Sequence, residues 1–536
     1  MNGAEALLRT LAGSGVDVCF TNPGTSEMHF VAALDRVPEM RGVLTLFEGV
    51  ATGAADGYAR MTGKPATTLL HLGPGLANGW ANLHNARRAS TPLVNIVGDH
   101  ATYHRRFDAP LQADLWGLAR TTSAWQRSTA RVDDVGADAA DAVLASYGPP
   151  GRIATLIVPA DVSWSEGGAP APRHPVPPLP LVPPETIEEI AKVLRGGEPS
   201  VLLIGGAAMR ERGLDAAARI ARSTGAKLLC ETFPAVHARG GGLPEVEKLA
   251  YFGEMAIAQI EGARHLVLAG ARAPASFFAY PAKPSDLVPA GVSVHELVAP
   301  GLDVTAALDA LADALADALG SGTGPDALGA ATRTGTLGVG ALGPQAARGR
   351  AGRPSGRLTA ESMAAAVGHL LPDGAIVVDE SITSGVSVPA ATAGGPRHDW
   401  LALTGGSIGQ GLPVATGAAV ASPGRRVLCL EADGSAMYTL QALWTQARES
   451  LDVTTLLLAN RSYAILQLEL ARVGATGSGE RAGALLDLHR PTLDFVSLAR
   501  GMGVPAERAT DAEGLAALLE RSFSEDGPML VEAVLG

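Results

Sequence analysis

Two oxygen-bearing residues stand at a spacing that can do chemistry. Asp433 closes the apolar run Arg426–Asp433 (RVLCLEAD), and Asn460, twenty-seven residues later, closes Thr454–Asn460 (TTLLLAN). The pattern between them predicts a helix of about fifteen residues. In a right-handed parallel crossover, two such strand ends share the carboxyl edge of one sheet, where open α/β sheets bind ligands. One carboxylate, one amide oxygen and a backbone carbonyl near Ser462 make a hard oxygen donor set. Such a set suits octahedral magnesium and leaves positions for phosphate oxygens. A helix opening just after Gly434 aims its positive end at the same point, and Ser435 adds a hydroxyl; both favour a diphosphate. Taken alone, Asp-Gly-Ser is an ordinary surface turn. The spacing and the two flanking strands point to the ligand-binding reading.

Other residues could serve such a site. The stretch Thr404–Val420 (TGGSIGQGLPVATGAAV) lies just upstream, and glycines such as Gly406 permit close backbone approach to a ligand. Within it Ile408 reads, by itself, as ordinary core. The polar run Glu380-Ser381-Ile382-Thr383-Ser384 follows the apolar strand AIVVD. Glu48 stands past another apolar strand, at the start of an alanine-rich helix, where a lone glutamate is normally a cap or dipole partner. His71 follows ATTLL; a histidine can relay protons, or it is a satisfied structural one. Thr25, in Asn22–Glu27 (NPGTSE), reads by itself as the cap of a helix beginning at Ser26.

The elements that must position these residues are strands and helices in alternation. Apolar runs at Val16–Phe20, Gly42–Leu46, Ala66–Leu70, Leu93–Val97 and Ala154–Val158 alternate with helical patterns such as Ala4–Ala12 and Gly49–Met61. Val201–Gly206, Ala226–Glu231 and His265–Gly270 repeat the theme, as do Ala375–Glu380, Arg426–Asp433 and Thr454–Asn460. Alternation of this kind implies parallel sheets covered on both faces. Eight of the fifteen residues from Pro170 to Pro184 are proline, which predicts an extended connector, and a Gly/Ala-rich stretch predicts a second. The expected organisation is therefore three doubly wound α/β domains, 1–165, 187–319 and 357–536, joined by linkers 166–186 and 320–356.

Bulk properties set outer limits. A chain of 536 residues exceeds a single hydrophobic core. It is 47% hydrophobic and 18% charged, with a formal charge of -12, which argues against nucleic acid or an anionic membrane as partner. No apolar run reaches the length of a membrane span, and the amino terminus lacks a signal-peptide pattern. Cys19, Cys230 and Cys429 are far apart, so neither a disulfide framework nor a zinc site is expected. These features make a cytoplasmic enzyme the expectation.

Asp433-Gly434-Ser435, with Asn460 and Tyr463 at their spacing, resembles the cofactor motif of thiamine-diphosphate-dependent decarboxylases and acetolactate synthases. Ala432 replaces the usual first glycine, and Ala459-Asn460 replaces the usual Asn-Asn pair. The resemblance implies thiamine diphosphate and Mg2+, with Ile408 under the cofactor forcing its two rings into a bent shape and Ser381 and Thr383 in a second diphosphate-binding turn. Residues 45–65 (TLFEGVATGAADGYARMTGKP) resemble the pattern that carries the family's activating acid, here Glu48. Such an acid promotes the imino tautomer of the cofactor's aminopyrimidine, whose nitrogen then removes the thiazolium carbon-2 proton. Such an acid must sit in a dry pocket, where its hydrogen bond is strengthened. In the family, the domains bearing Glu48 and Asp433 meet across a subunit interface, which implies a homodimer or a dimer of dimers acting on a small 2-oxo acid.

The fate of the carbanion equivalent reads two ways. Thr25 and His71 match positions of benzoylformate-decarboxylase-like enzymes, but the stretch Ser276–Pro284 holds no second histidine. Gly73-Pro74-Gly75 followed by Asn78, together with Gln112, resembles acetolactate synthase; there the glutamine lies near the cofactor. That match is incomplete too: Glu469 stands where acetolactate synthases carry a tryptophan, and their FAD segment has only a degenerate glycine pattern as counterpart, in Val201–Gly213. The first reading is an acetolactate-synthase-like decarboxylase and carboligase. The alternatives are a non-oxidative decarboxylase of the benzoylformate type and a non-catalytic homologue that binds the cofactor without turnover, against which Glu48 argues.

Overall fold

A computed structural model describes residues 1–320, 349–475 and 479–535. The expected linker 320–356 therefore falls largely outside the described residues, whereas residues 167–183 of the proline-rich linker form neither helix nor strand.

Three parallel sheets carry the fold. The first uses β1 (Val18–Thr21), β2 (Arg41–Leu44), β3 (Ala66–His71), β4 (Leu93–Asp99), β5 (Trp125–Ser128) and β6 (Ile153–Pro159), in the order β2-β1-β3-β4-β6-β5. The middle segment contributes β7 (Ser200–Ile204), β8 (Lys227–Cys230), β9 (His237–Arg239), β10 (Glu247–Lys248), β11 (His265–Ala269) and β12 (Ser293–Val298). Five of these form the second sheet, β10-β8-β7-β11-β12. The third sheet is built from β13 (Ala375–Glu380), β14 (His398–Ala402), β15 (Val427–Ala432), β16 (Val453–Ala459), β17 (Ala506–Ala509) and β18 (Met529–Val534). Its order is β17-β18-β16-β15-β13-β14-β9, so the middle segment's β9 completes its edge, antiparallel to β14. The central strands are buried on both faces, as continuous apolar runs require.

One expectation needs correction. The span after Asp433 is not one helix but two seven-residue helices, Asp433–Thr439 and Ala442–Arg448. The first is tied to a neighbouring loop: Thr439 Oγ1 donates to the Gly409 carbonyl at 3.0 Å. The parallel-sheet expectation holds for β13–β18, all parallel, and the lent β9 is added antiparallel at the edge. A three-residue strand has too little pattern to be seen in sequence.

The first and third sheets approach through one pair of helices, Glu48–Thr62 and Gly411–Ala421. Their backbones touch where side chains are missing. A Cβ on Gly57 would lie 2.1 Å from the Val414 carbonyl oxygen, and one on Gly417 would lie 1.8 Å from that of Ala54. Beside this crossing, Asp56 and Arg60 form a fully buried ion pair. Asp56 also accepts from Thr91 at 2.6 Å and from Gln410 at 3.0 Å, while Arg60 donates to the carbonyl of Ala402 at 2.8 Å. The Asp-Gly-Tyr-Ala-Arg stretch thus locks the Glu48 helix to the loop that carries Ile408. Among the described residues, no helix is long and apolar enough to cross a membrane.

Candidate active site

In the third sheet, three adjacent parallel strands, β13, β15 and β16, end together and deliver three turns to one edge. Asp433 is buried at the end of β15; its carboxylate accepts from Gly434 N at 2.8 Å and from Arg461 N at 2.6 Å. Burial pushes its pKa up, and those two backbone N–H groups oppose the shift. Asn460 follows β16. Its amide nitrogen donates to Ser384 Oγ at 3.2 Å and its oxygen accepts from Ser462 N at 3.0 Å. Arg461 between them has φ +56°, a left-handed conformation that sets the bend of this turn. The loop is pinned from outside, since Tyr463 N donates to the Leu486 carbonyl at 3.0 Å. Tyr463 packs on Gly434 so closely that a Cβ there would meet its ring at 2.4 Å.

Ser381 is buried, with its hydroxyl donating to Asp379 at 2.6 Å. Thr383 lies half-buried in the same turn, whose contact with Asn460 runs through Ser384. Ser435 is buried beside Asp433. Ile408 is half-buried, and Gly406, at φ +73°, faces the middle segment: a Cβ there would touch the Phe277 ring at 2.6 Å. Phe277 belongs to an aromatic cluster with Phe233, Tyr251 and Phe278 at centroid distances of 5.0–6.0 Å. Glu469 reaches this cluster through Tyr251, whose hydroxyl donates to it at 3.4 Å.

The edge of the first sheet gathers the other group. Glu48 is 7% exposed at the start of its helix, and its carboxylate accepts from Asn78 at 3.0 Å. Gly75 gives it room, since a Cβ there would lie 3.2 Å from Glu48 Oε1. His71 ends β3 with Nδ1 2.8 Å from Glu27 and 3.2 Å from Ser26 Oγ. Glu27, which is 2% exposed, also accepts from Gly24 N at 2.8 Å, so its carboxylate caps this turn. The capping alternative for Thr25 is therefore corrected: Thr25 is the exposed first residue of a 3-10 turn, Thr25–Glu27, and caps nothing. Gln112 sits in the loop after β4, its neighbour Ala113 against Gly73, with a buried side-chain oxygen that has no partner.

Sequence reasoning missed Glu27, the partner that orients His71. Only its place at the third position of a capping turn could have signalled it. It also missed Asn82 and Asn85, which reach from the first domain to the Ile408 loop. Asn82 donates to the Gly409 carbonyl at 3.2 Å, and Asn85 donates to that of Ser407 at 2.8 Å.

The donors around Asp433 fit a magnesium diphosphate. All are oxygens, and among the described residues no cluster of three His, Cys, Asp or Glu offers a softer metal another site. The residues do not fit a flavin diphosphate at the glycine turn after β7, because the Glu231 carboxylate already accepts from Gly206 N there at 2.9 Å.

Comparison with known proteins agrees with this geometry. Residues 1–119 match the N-terminal TPP binding domain of thiamine pyrophosphate enzymes, and residues 385–533 match the C-terminal TPP binding domain. A Mycobacterium tuberculosis protein named "Putative acetolactate synthase large subunit IlvX" is 58% identical over 100% of this chain and 99% of its own length. The chain belongs to the thiamine pyrophosphate enzyme family. Benzoylformate decarboxylase of Pseudomonas aeruginosa is 29% identical, covering 98% of each chain. The solved thiamine diphosphate-dependent 4-hydroxybenzoylformate decarboxylase of Rhodococcus jostii RHA1 superposes with a TM-score of 0.82 at 24% identity, over 100% of this chain and 99% of that one. Within the family, this thiamine-pyrophosphate-dependent enzyme is similar to acetolactate synthases and benzoylformate decarboxylases alike.

Proposed function

We propose that this member of the thiamine pyrophosphate enzyme family decarboxylates a small 2-oxo acid with the help of Mg2+ and joins the resulting two-electron nucleophile to a second carbonyl, as an acetolactate synthase does. The observation that carries this reading is the convergence at one sheet edge of Asp433, Asn460 and the Ser381–Ser384 turn, tied by hydrogen bonds from Arg461 N to Asp433 and from Asn460 to Ser384. Asp433, the Asn460 amide oxygen and the Ser462 carbonyl would hold the metal. Gly434, Ser435, Ser381 and Thr383 would hold the diphosphate, with Gly406, Ile408 and Tyr463 against the rest of the cofactor. When bound, thiamine diphosphate supplies the electron sink that makes loss of carbon dioxide from a 2-oxo acid feasible.

The chain's own residues do the rest. Glu48 would place its buried carboxyl against the aminopyrimidine, with Asn78 orienting it. Gln112 presents a free oxygen from the first domain, and His71, oriented by Glu27, would face the substrate carboxylate, with Thr25 at the mouth. Ligation is favoured over protonation because the stretch from Ser276 to Pro284 offers Phe277 and Phe278 and no second histidine. The shared site implies a homodimer or dimer of dimers.

The His71–Glu27 pair favours a second reading, simple non-oxidative decarboxylation, since a histidine oriented by a buried carboxylate can serve as a general acid. Incubating the protein, thiamine diphosphate and magnesium with a panel of 2-oxo acids, and identifying products by mass spectrometry, separates the readings. Carbon dioxide with a 2-hydroxy-2-acyl acid supports ligation, and carbon dioxide with aldehyde alone supports the second reading. No carbon dioxide from any substrate overturns both.

A further inference from the structure

Ile408 is gripped on both sides. On its amino side, Ser407 N donates to Asn85 Oδ1 at 3.2 Å and the Ser407 carbonyl accepts from Asn85 Nδ2 at 2.8 Å. On its carboxyl side the grip comes from Glu380, the last residue of β13, which is 1% exposed. One carboxylate oxygen accepts from Gly409 N at 2.7 Å and the other accepts from Gly411 N. Between them the chain turns through Gly409 at φ +93°, where any side chain would strike Tyr438, and enters the Gly411–Ala421 helix.

The site has been built for this carboxylate. A Cβ on Gly411 would lie 3.0 Å from the Glu380 carboxyl and 2.1 Å from that of Glu431, which is fully buried beside it. Burying two acids side by side is costly, and no ligand-binding role assigned above uses either of them. A neutral side chain with a single acceptor would fill the same volume, but it could serve only one of the two N–H groups. The function of the carboxylate is thus to take both N–H groups at once, which fixes the bend after Ile408.

We propose that Glu380 is a positioning residue for the cofactor site: by holding the amides of Gly409 and Gly411 together it sets where Ile408 stands. The inference rests on the proposed function for what Ile408 does there, but the grip itself is independent of it. In the proposed site Glu380 acts through Ile408 and not by contact with cofactor or substrate.

Glu380→Gln tests this, read by amide hydrogen exchange over residues 404–414, by calorimetric titration with thiamine diphosphate and magnesium, and by exchange of the cofactor's carbon-2 proton in the absence of substrate. The expected result is exchange of the Gly409–Leu412 amides faster by about tenfold or more, the size of effect a lost hydrogen bond to a charged group gives. Carbon-2 exchange should fall by about tenfold with cofactor affinity changed less than about threefold, and the Glu380→Gln/Ile408→Ala double variant should be no slower than Ile408→Ala alone. Unchanged amide exchange overturns the proposal, as do additive losses in the double variant or a loss of affinity that matches the loss of exchange. Should Glu380→Gln not fold, Glu380→Asp keeps the charge but lacks the reach; wild-type amide exchange in that variant overturns the proposal, and faster exchange upholds it. If the unmodified protein binds the cofactor without carbon-2 exchange, the proposed function fails, whereas the amide measurement still decides the grip.

Discussion

Glu48 and Asp433 should fail in different ways when altered. Glu48→Gln keeps the shape and the contact with Asn78 but cannot share a proton, so carbon-2 exchange should fall by about a hundredfold or more while cofactor affinity stays within a few-fold. NMR of the bound cofactor in deuterium oxide measures this, and undiminished exchange would refute the assignment. Asp433→Ala removes the one carboxylate of the proposed metal site, so chelating magnesium should weaken cofactor binding in the unmodified protein but barely alter the weak binding left in the variant. Titration calorimetry with and without a chelator reads that difference. Asp433 and Asn460 were legible in the sequence because each ends an apolar strand, so a one-dimensional spacing translates directly into a place on a sheet edge. Glu27 was not. Its contact with His71 spans 44 residues and depends on two strand ends, β1 and β3, being neighbours, which no local pattern encodes.

At the scale of elements, the legible parts were those with uninterrupted hydrophobic runs. Strands such as β4 and β16 are buried throughout and announce themselves, whereas β5 (WQRS) is half-buried along its length and β17 (AERA) is mixed. Neither stands out from surrounding polar sequence. The break between the two helices after Asp433 has no proline or glycine to mark it; it accompanies a tertiary bond from Thr439 to the Gly409 carbonyl. The crossing of the Glu48 and Gly411 helices makes a firm prediction. Gly417→Ala forces a methyl into the Ala54 carbonyl, so the helices must separate, at a cost of about 1–3 kcal/mol. Thermal unfolding should begin at lower temperature, and carbon-2 exchange should fall with it, because Glu48 and the Ile408 loop ride on these two helices. Gly424→Ala, where no neighbour lies within 4 Å of the added carbon although φ is +82°, serves as a comparison for backbone strain without collision.

At the scale of the molecule, the seam between the middle segment and the third sheet is lined by two buried histidines, His237 on β9 and His398 on β14. Burial is the main cause that lowers both, His237 to about 3 and His398 to about 4. The Arg239 charge adds to both shifts, whereas the Pro396 carbonyl and Asp399 partly oppose the shift of His398. A depressed histidine pKa means that the unfolded chain binds protons the folded one refuses, so this contribution to stability is intact above the ordinary histidine range and drains away as pH falls below it. Acidifying from about pH 7 to about pH 5 should cost on the order of 2 kcal/mol per histidine at most. Hydrogen exchange of the β14 amides should therefore rise more steeply on acidification than that of β16 amides, and parallel behaviour of the two strands would contradict this.

The lent strand has a practical corollary. Although the third sheet carries the turns around Asp433, excising residues 357–536 as a cofactor-binding fragment would take away β9 and strip β14 of its partner, baring an open row of amides and carbonyls. Such a fragment would recruit any extended peptide, including its own copies, and precipitate. Whoever wishes to transplant this cofactor cradle must carry His237–Arg239 along with it.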